Sequence, residues 1–139
     1  MNPAARLIMY HKQATSARTR FLRLEACGVC GFEPLPPLSR RAGGGEEGVV
    51  THPASLVREA EQRLGLAAGG LEVEPGFHPR LESPDGTCTV YLARFTAIDP
   101  PFDAAEQAGG RFVAITEARD LPPVQLDLLR DAYEVIMEG

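Results

Sequence analysis

Glu59, Gln62 and Arg63 are the side chains in this sequence whose types and spacing carry the most chemical meaning. If the run Arg58-Glu59-Ala60-Glu61-Gln62-Arg63-Leu64-Gly65-Leu66 is helical, the three sit at i, i+3 and i+4 and share one face. Three carboxylates at that spacing would converge on a hard divalent cation such as Mg²⁺. The cation would in turn neutralise charge developing on phosphoryl oxygens. Here only Glu59 is an acid. Gln62 offers a neutral carbonyl, and Arg63 is a permanent cation at i+4 from Glu59, on the side that favours a helical ion pair. Arg63 then either saturates Glu59 or contacts a ligand phosphate directly. The alternative is a solvated helix residue on a face that has lost its chemistry.

The elements that must position these residues are legible on either side. Thr51 is a helix N-cap, Pro53 suits the first turn, and Leu56, Ala60 and Leu64 recur at spacing four as an apolar stripe. Gly65 supplies the stop. Ala5 to Tyr10 and Phe21 to Leu24 read as strands, the first apolar enough to be central. Residues 31 to 48 hold several prolines and the run Gly43-Gly44-Gly45, which predicts a long loop. Leu71 to Glu74 alternates as a half-buried strand. Phe77 to Glu82 and Thr87 to Phe95 flank Ser83-Pro84-Asp85-Gly86, a hairpin turn. Residues 99 to 110 read as a loop and Arg111 to Ile115 as a strand. A C-terminal helix follows Leu121-Pro122-Pro123, with Leu126, Leu129, Tyr133 and Ile136 at helical spacing.

Laid out from Gly44, the chain resembles the Nudix box: Gly, five residues, Glu, seven residues, then Arg-Glu-apolar-any-Glu-Glu-any-Gly-apolar. Gly44, Arg58, Glu59, Ala60, Gly65 and Leu66 match, whereas Val50, Gln62 and Arg63 stand where the pattern has glutamates. The order of strands, loop, helix, hairpin, strand and final helix also resembles the Nudix fold, so the resemblance covers nearly the whole chain. It implies an α/β (α+β) architecture, an α/β/α sandwich around a mixed sheet, as a single domain over residues 1–139. It also implies that Gly44, Arg58 and Gly65 are structural members of the box, with Arg58 bracing the box loop. Glu59 is the vestigial or residual catalytic group and the residue that would hold a metal if any does, no metal site being expected outright, while Arg63, Gln62, Glu46 and Glu47 are ligand-binding candidates. A further acid from a later loop is expected in such proteins, and Asp103, Glu106 and Glu117 qualify equally.

Missing carboxylates and an added cation both act against metal affinity. The expectation is therefore a Nudix-like protein without standard Mg²⁺-dependent pyrophosphate hydrolysis, binding a nucleotide-like or phosphorylated small molecule or a protein partner. Two alternatives stay open: an active hydrolase of a nucleoside diphosphate linked to another moiety, with Mg²⁺ as cofactor, and a structural subunit with a vestigial pocket. The C-terminal helix or an exposed strand could pair two copies as a homodimer.

Composition bounds these readings. The 139 residues carry 44% hydrophobic and 24% charged side chains, which suits one globular domain. No apolar run approaches a membrane span and no signal peptide is evident, so a cytoplasmic, membrane-free protein is expected. Net charge is −5, yet residues 1 to 45 hold seven basic and two acidic side chains. That basic front third could face phosphate or nucleic acid; scattered positions and the absence of Trp favour solvated strand flanks and argue against nucleic acid. The odd cysteine count, Cys27, Cys30 and Cys88, argues against a disulfide framework, and Cys27-Gly28-Val29-Cys30 lacks a second ligand pair for a metal. These thiols read as small core residues.

Overall fold

Alternation along the first strand determines the layering. The computed structural model describes residues 5–42 and 53–138. Among them, β1 (Ala5–Lys12), β2 (Thr19–Leu24), β3 (Arg40–Arg41), β4 (Leu71–Val73), β5 (Arg80–Ser83), β6 (Gly86–Phe95) and β7 (Gly110–Val113) form one mixed sheet of order β3-β5-β6-β1-β2-β7, with β4 also pairing β6. The centre is the parallel pair of β1 and β6, in register from Ala5 opposite Thr89 to Tyr10 opposite Arg94. β5 pairs the first half of β6 and β4 its last residues. Strands buried on both faces are apolar almost throughout, and β1 is buried from Ala5 to His11.

Successive side chains of β1 point to opposite layers. Leu7 and Met9 pack with Val57, Ala60 and Leu64, which come from and just after α1 (Pro53–Arg63). Ile8 and Tyr10 pack with Leu128, Leu129, Ala132 and Ile136 of α3 (Pro123–Glu138). A shorter α2 (Phe102–Gln107) joins α1 on its layer through Ala105. The result is a Nudix-like α/β/α sandwich around a mixed sheet. Each fully buried Leu, Ile or Phe contributes about 1.5–3 kcal/mol to holding these layers together.

Four sequence expectations are corrected here. The stretch from 99 to 110 contains α2, because Ala104, Ala105 and Ala108 supply a short apolar face that packs on the sheet. Within the long loop, Arg40–Arg41 forms an edge strand paired to β5. The first strand of the hairpin begins at Arg80 rather than Phe77. On α3 the core face is Gln125, Leu128, Leu129, Ala132 and Ile136, while Tyr133 points outward with its polar tip, 37% exposed. The expected Thr51 cap lies outside the described residues.

Candidate functional site

The C-terminal end of α1 is built from backbone geometry upward. The Leu66 N–H donates to the Glu61 carbonyl at 2.8 Å and the Gly65 N–H to the Gln62 carbonyl at 3.1 Å, the paired bonds of a Schellman stop. Gly65 has φ +69°, which a side chain would strain. Glu61 lies on the underside and is 7% exposed. Its Oε2 accepts the N–H groups of Gly69 at 3.0 Å and Leu71 at 3.2 Å, tying α1 to the start of β4. Glu61 is thus a buried fastening, set off the face shared by Glu59, Gln62 and Arg63.

The outer face carries the box residues. Arg63 Nε lies 3.7 Å from Glu59 Oε2, with both side chains half exposed. The Arg63 guanidinium also sits 5.0 Å from the centre of the Phe32 ring, a cation–π distance. Arg63 is thus held on two sides. Gln62 and Arg58 are exposed on the helix surface. Gly44, Glu46 and Glu47, and the loop that Arg58 is expected to brace, lie outside the described residues.

Glu59 and Arg63 line a narrow crevice of about 40 Å³ shared with Arg6, Phe32 and Glu33. That is room for a water or two rather than for a phosphate ester. Its far wall is fixed by Arg6, 7% exposed, whose Nε and Nη2 donate to the Pro34 carbonyl at 3.2 and 2.7 Å. Glu33 is the acid that sequence reasoning missed, since nothing in a proline-rich loop signals that it returns to the box helix. A divalent cation does not fit the described donors: two carboxylates share the crevice with two guanidiniums, and Glu59 is already paired. No group of three or more His, Cys, Asp or Glu side chains able to hold a metal occurs among the described residues. The later-loop acids do not join this crevice. Asp103 and Glu106 are exposed on α2, and Glu117 Oε1 accepts the Ala114 N–H at 2.8 Å within its own turn.

The cysteine motif is not a site either. Cys30 is fully buried, and burial, with the neighbouring Cys88 as a lesser cause, pushes its thiol up to about 12. Cys27 donates from Sγ to the Phe32 carbonyl at 3.3 Å. Both therefore serve packing. Burial keeps the Cys30 and Cys88 thiols protonated at neutral pH.

A second concavity, about 1200 Å³, opens on the other layer, between the residue 25–28 turn, the residue 34–41 segment and the start of α3. Its floor is set by Gln125, 7% exposed, whose Oε1 accepts the Val29 N–H at 3.0 Å. Gly28 has φ +88°, and an added Cβ there would collide with the Gln125 amide, so this close approach requires glycine. Apolar Leu35, Leu121 and Val124 alternate with Arg23, Arg40, Arg41, Arg119 and Arg130 around the wall. Arg41 is held by Asp127 at 3.1 Å and Asp131 at 2.8 Å, and Arg40 by Glu82 at 3.3 Å. Arg23 makes a bidentate pair with Asp120, Nη1 to Oδ1 and Nη2 to Oδ2, each 2.8 Å. The Arg23 hydrogen bond is the main reason the Asp120 carboxyl falls to about 2, so the pair persists from neutral pH down to that value. The basic excess of the front third was expected to be strand-flank solvation. Three of its arginines, Arg23, Arg40 and Arg41, lie on β2 and β3, the latter two exposed, and also line this cleft.

With these geometries in place, the comparison with known proteins bears on fold. The crystal structure of C. elegans Ap4A hydrolase is similar to this chain with a TM-score of 0.57, covering 94% of this chain and 94% of that one at 20% sequence identity. That likeness supports the Nudix-like arrangement of layers. Neither a protein-family model nor a curated protein sequence matches the chain. No helix among the described residues is long and apolar enough to cross a membrane.

Proposed function

We propose that this chain is a Nudix-fold binding module that holds a nucleotide-like or phosphorylated small molecule, with Arg63 as a built-in cation where the Nudix box has a carboxylate. The observation that supports this most is the double restraint of Arg63, paired to Glu59 at 3.7 Å and stacked on Phe32 at 5.0 Å. A guanidinium so held opposes a divalent cation on the same face, because like charges repel most where solvent is partly excluded. The arginine-lined cleft beside α3 supplies the volume that the crevice lacks. Its mixture of apolar wall and guanidinium groups suits a ligand with a flat apolar part and a phosphate.

The second reading is an active hydrolase of a nucleoside diphosphate joined to another group. The full-length likeness to a protein named as an Ap4A hydrolase favours it, and dinucleoside polyphosphates enter the ligand class on that ground. One experiment separates the readings. Nucleoside mono-, di- and polyphosphates are screened for thermal stabilisation with EDTA present, and for turnover with Mg²⁺ or Mn²⁺, in the wild type and in the Gln62→Glu/Arg63→Glu double variant. The binding-module reading expects stabilisation of the wild type in EDTA, and metal binding only in the double variant. Robust metal-dependent turnover by the wild type would overturn it and establish the hydrolase. No stabilisation by any ligand would leave a structural subunit.

A further inference from the structure

Arg23 and Arg111 are directly opposite one another on the antiparallel strands β2 and β7, so their side chains leave the same face of the sheet. Like charges opposed in this way are unfavourable unless an anion lies between or beside them. Arg119 lies on the turn before α3 and lines the same cleft as Arg23. Among the described residues one carboxylate answers this group directly: Asp120, on the turn before α3, enters the Arg23 fork with both oxygens at 2.8 Å. Among the described residues neither Arg111 nor Arg119 forms an ion pair with a carboxylate, and Arg111 also acts on Asp120 through space. Glu25, at the cleft wall, is the nearest other acid in sequence to Arg23.

The two partners of the fork differ in how firmly they are held. The Arg23 side chain is 17% exposed, anchored along the sheet, whereas that of Asp120 is 68% exposed on a turn. The guanidinium is therefore a fixed receptor and the carboxylate a replaceable guest. A planar guanidinium fork accepts a carboxylate or two phosphate oxygens with the same bidentate geometry.

We propose that the Arg23 fork, with Arg111 beside it, is the seat for a dianionic phosphate group, and that Asp120 is an internal competitor that fills it until a ligand phosphate displaces it. This deepens the binding-module reading, on which it rests for the use of the cleft. It assigns the anion end of the ligand to the β2–β7 edge, and it makes the Asp120 turn the element that sets affinity. A dianion is specified because, with Asp120 displaced, the two guanidiniums that act on it, Arg23 and Arg111, are both left facing the seat. A monocarboxylate would answer only one of them.

The test is titration of the full chain with inorganic phosphate and pyrophosphate at low ionic strength and pH 7.5, followed by calorimetry and by the arginine side-chain N–H resonances. Asp120→Asn removes the competing charge and is expected to bind phosphate about fivefold more tightly than the wild type, the scale set by loss of an exposed ion pair. Arg23→Lys keeps the charge but not the fork, and is expected to weaken binding at least tenfold. Arg111→Gln is expected to weaken it about threefold, and acetate to bind none of these proteins. If Asp120→Asn lowers the melting temperature and leaves phosphate affinity unchanged or weaker, Asp120 is a brace and the proposal is wrong. Absence of phosphate binding in every protein overturns it equally. Nucleotide stabilisation that ignores Asp120→Asn would sink this inference alone. Phosphate binding at Arg23 without any nucleotide binding would uphold it while removing the nucleotide reading.

Discussion

The crevice at the box helix and the cleft beside α3 present the same residue type, arginine, in opposite mechanical situations. In the crevice, Arg63 belongs to its own helix and is restrained by Glu59 and Phe32, leaving about 40 Å³ around it. In the cleft, the arginines come from β2, β3, the turn before α3 and α3 itself, around about 1200 Å³. A charge fixed by neighbours within one turn of helix acts locally, on whatever would share its face. Charges delivered by separate elements around a large concavity can act together on a ligand. Among the described residues, the motif helix and the roomier of these two concavities lie on opposite layers of one sandwich.

The largest expected effect comes from the underside of the box helix. Glu61→Ala removes the acceptor of two backbone N–H groups, of which Leu71 N is buried, and leaves that donor without its partner. Hydrogen bonds to a charged acceptor contribute about 1.5–3 kcal/mol each, so a loss of about 3 kcal/mol is expected in a urea unfolding midpoint analysis. If the crevice depends on this fastening, Arg63 should also lose its stacking on Phe32. A variant that unfolds like the wild type would show that the helix needs no tie to β4.

Gln125→Leu tests the cleft in the same way with a smaller effect. The change keeps side-chain volume but strands the Val29 N–H, now bonded to Gln125 Oε1 at 3.0 Å. An unsatisfied buried donor costs about 1–3 kcal/mol. The expected outcome is a drop of about 2 kcal/mol in stability, with faster hydrogen exchange at Val29 and weakened ligand stabilisation. Box-helix exchange should not change. Equal acceleration in both regions would mean that crevice and cleft open as one unit, and the contrast between them would dissolve.

Much of the fold was readable because its signals are local. The Ala60–Leu64 stripe, the stop at Gly65, the Ser83–Gly86 turn and the apolar run of β1 each depend on residues a few positions apart. The i, i+4 spacing likewise announced the Glu59–Arg63 pair. What escaped is non-local. α2 is only six residues between prolines and glycines, and it is helical because alanines meet a sheet face that the local sequence does not contain. Glu33 reaches the box helix, and Arg23 meets Asp120 across 97 positions, so neither has a spacing rule to reveal it. Glu61 reads as one more surface acid until the N–H groups at the start of β4 are in place.

The smallest effect on stability is the sharpest test of the comparison. Arg63→Ala breaks one half-exposed helical ion pair and one cation–π contact. Exposed i, i+4 pairs contribute about 0.3–0.5 kcal/mol and an exposed cation–π contact about 0.5–1 kcal/mol. The unfolding midpoint should therefore shift only slightly, by less than for Glu61→Ala or Gln125→Leu. If Arg63 acts only within its own crevice, phosphate affinity at the cleft should match the wild type, while Glu59 becomes free to meet a cation. Titration with Mn²⁺ followed by water-proton relaxation would then detect weak binding to Arg63→Ala and none to Arg63→Ala/Glu59→Gln. Should phosphate affinity fall several-fold instead, the two regions are coupled across the sheet, through the chain that runs from Phe32 in the crevice to Pro34 and Leu35 in the cleft.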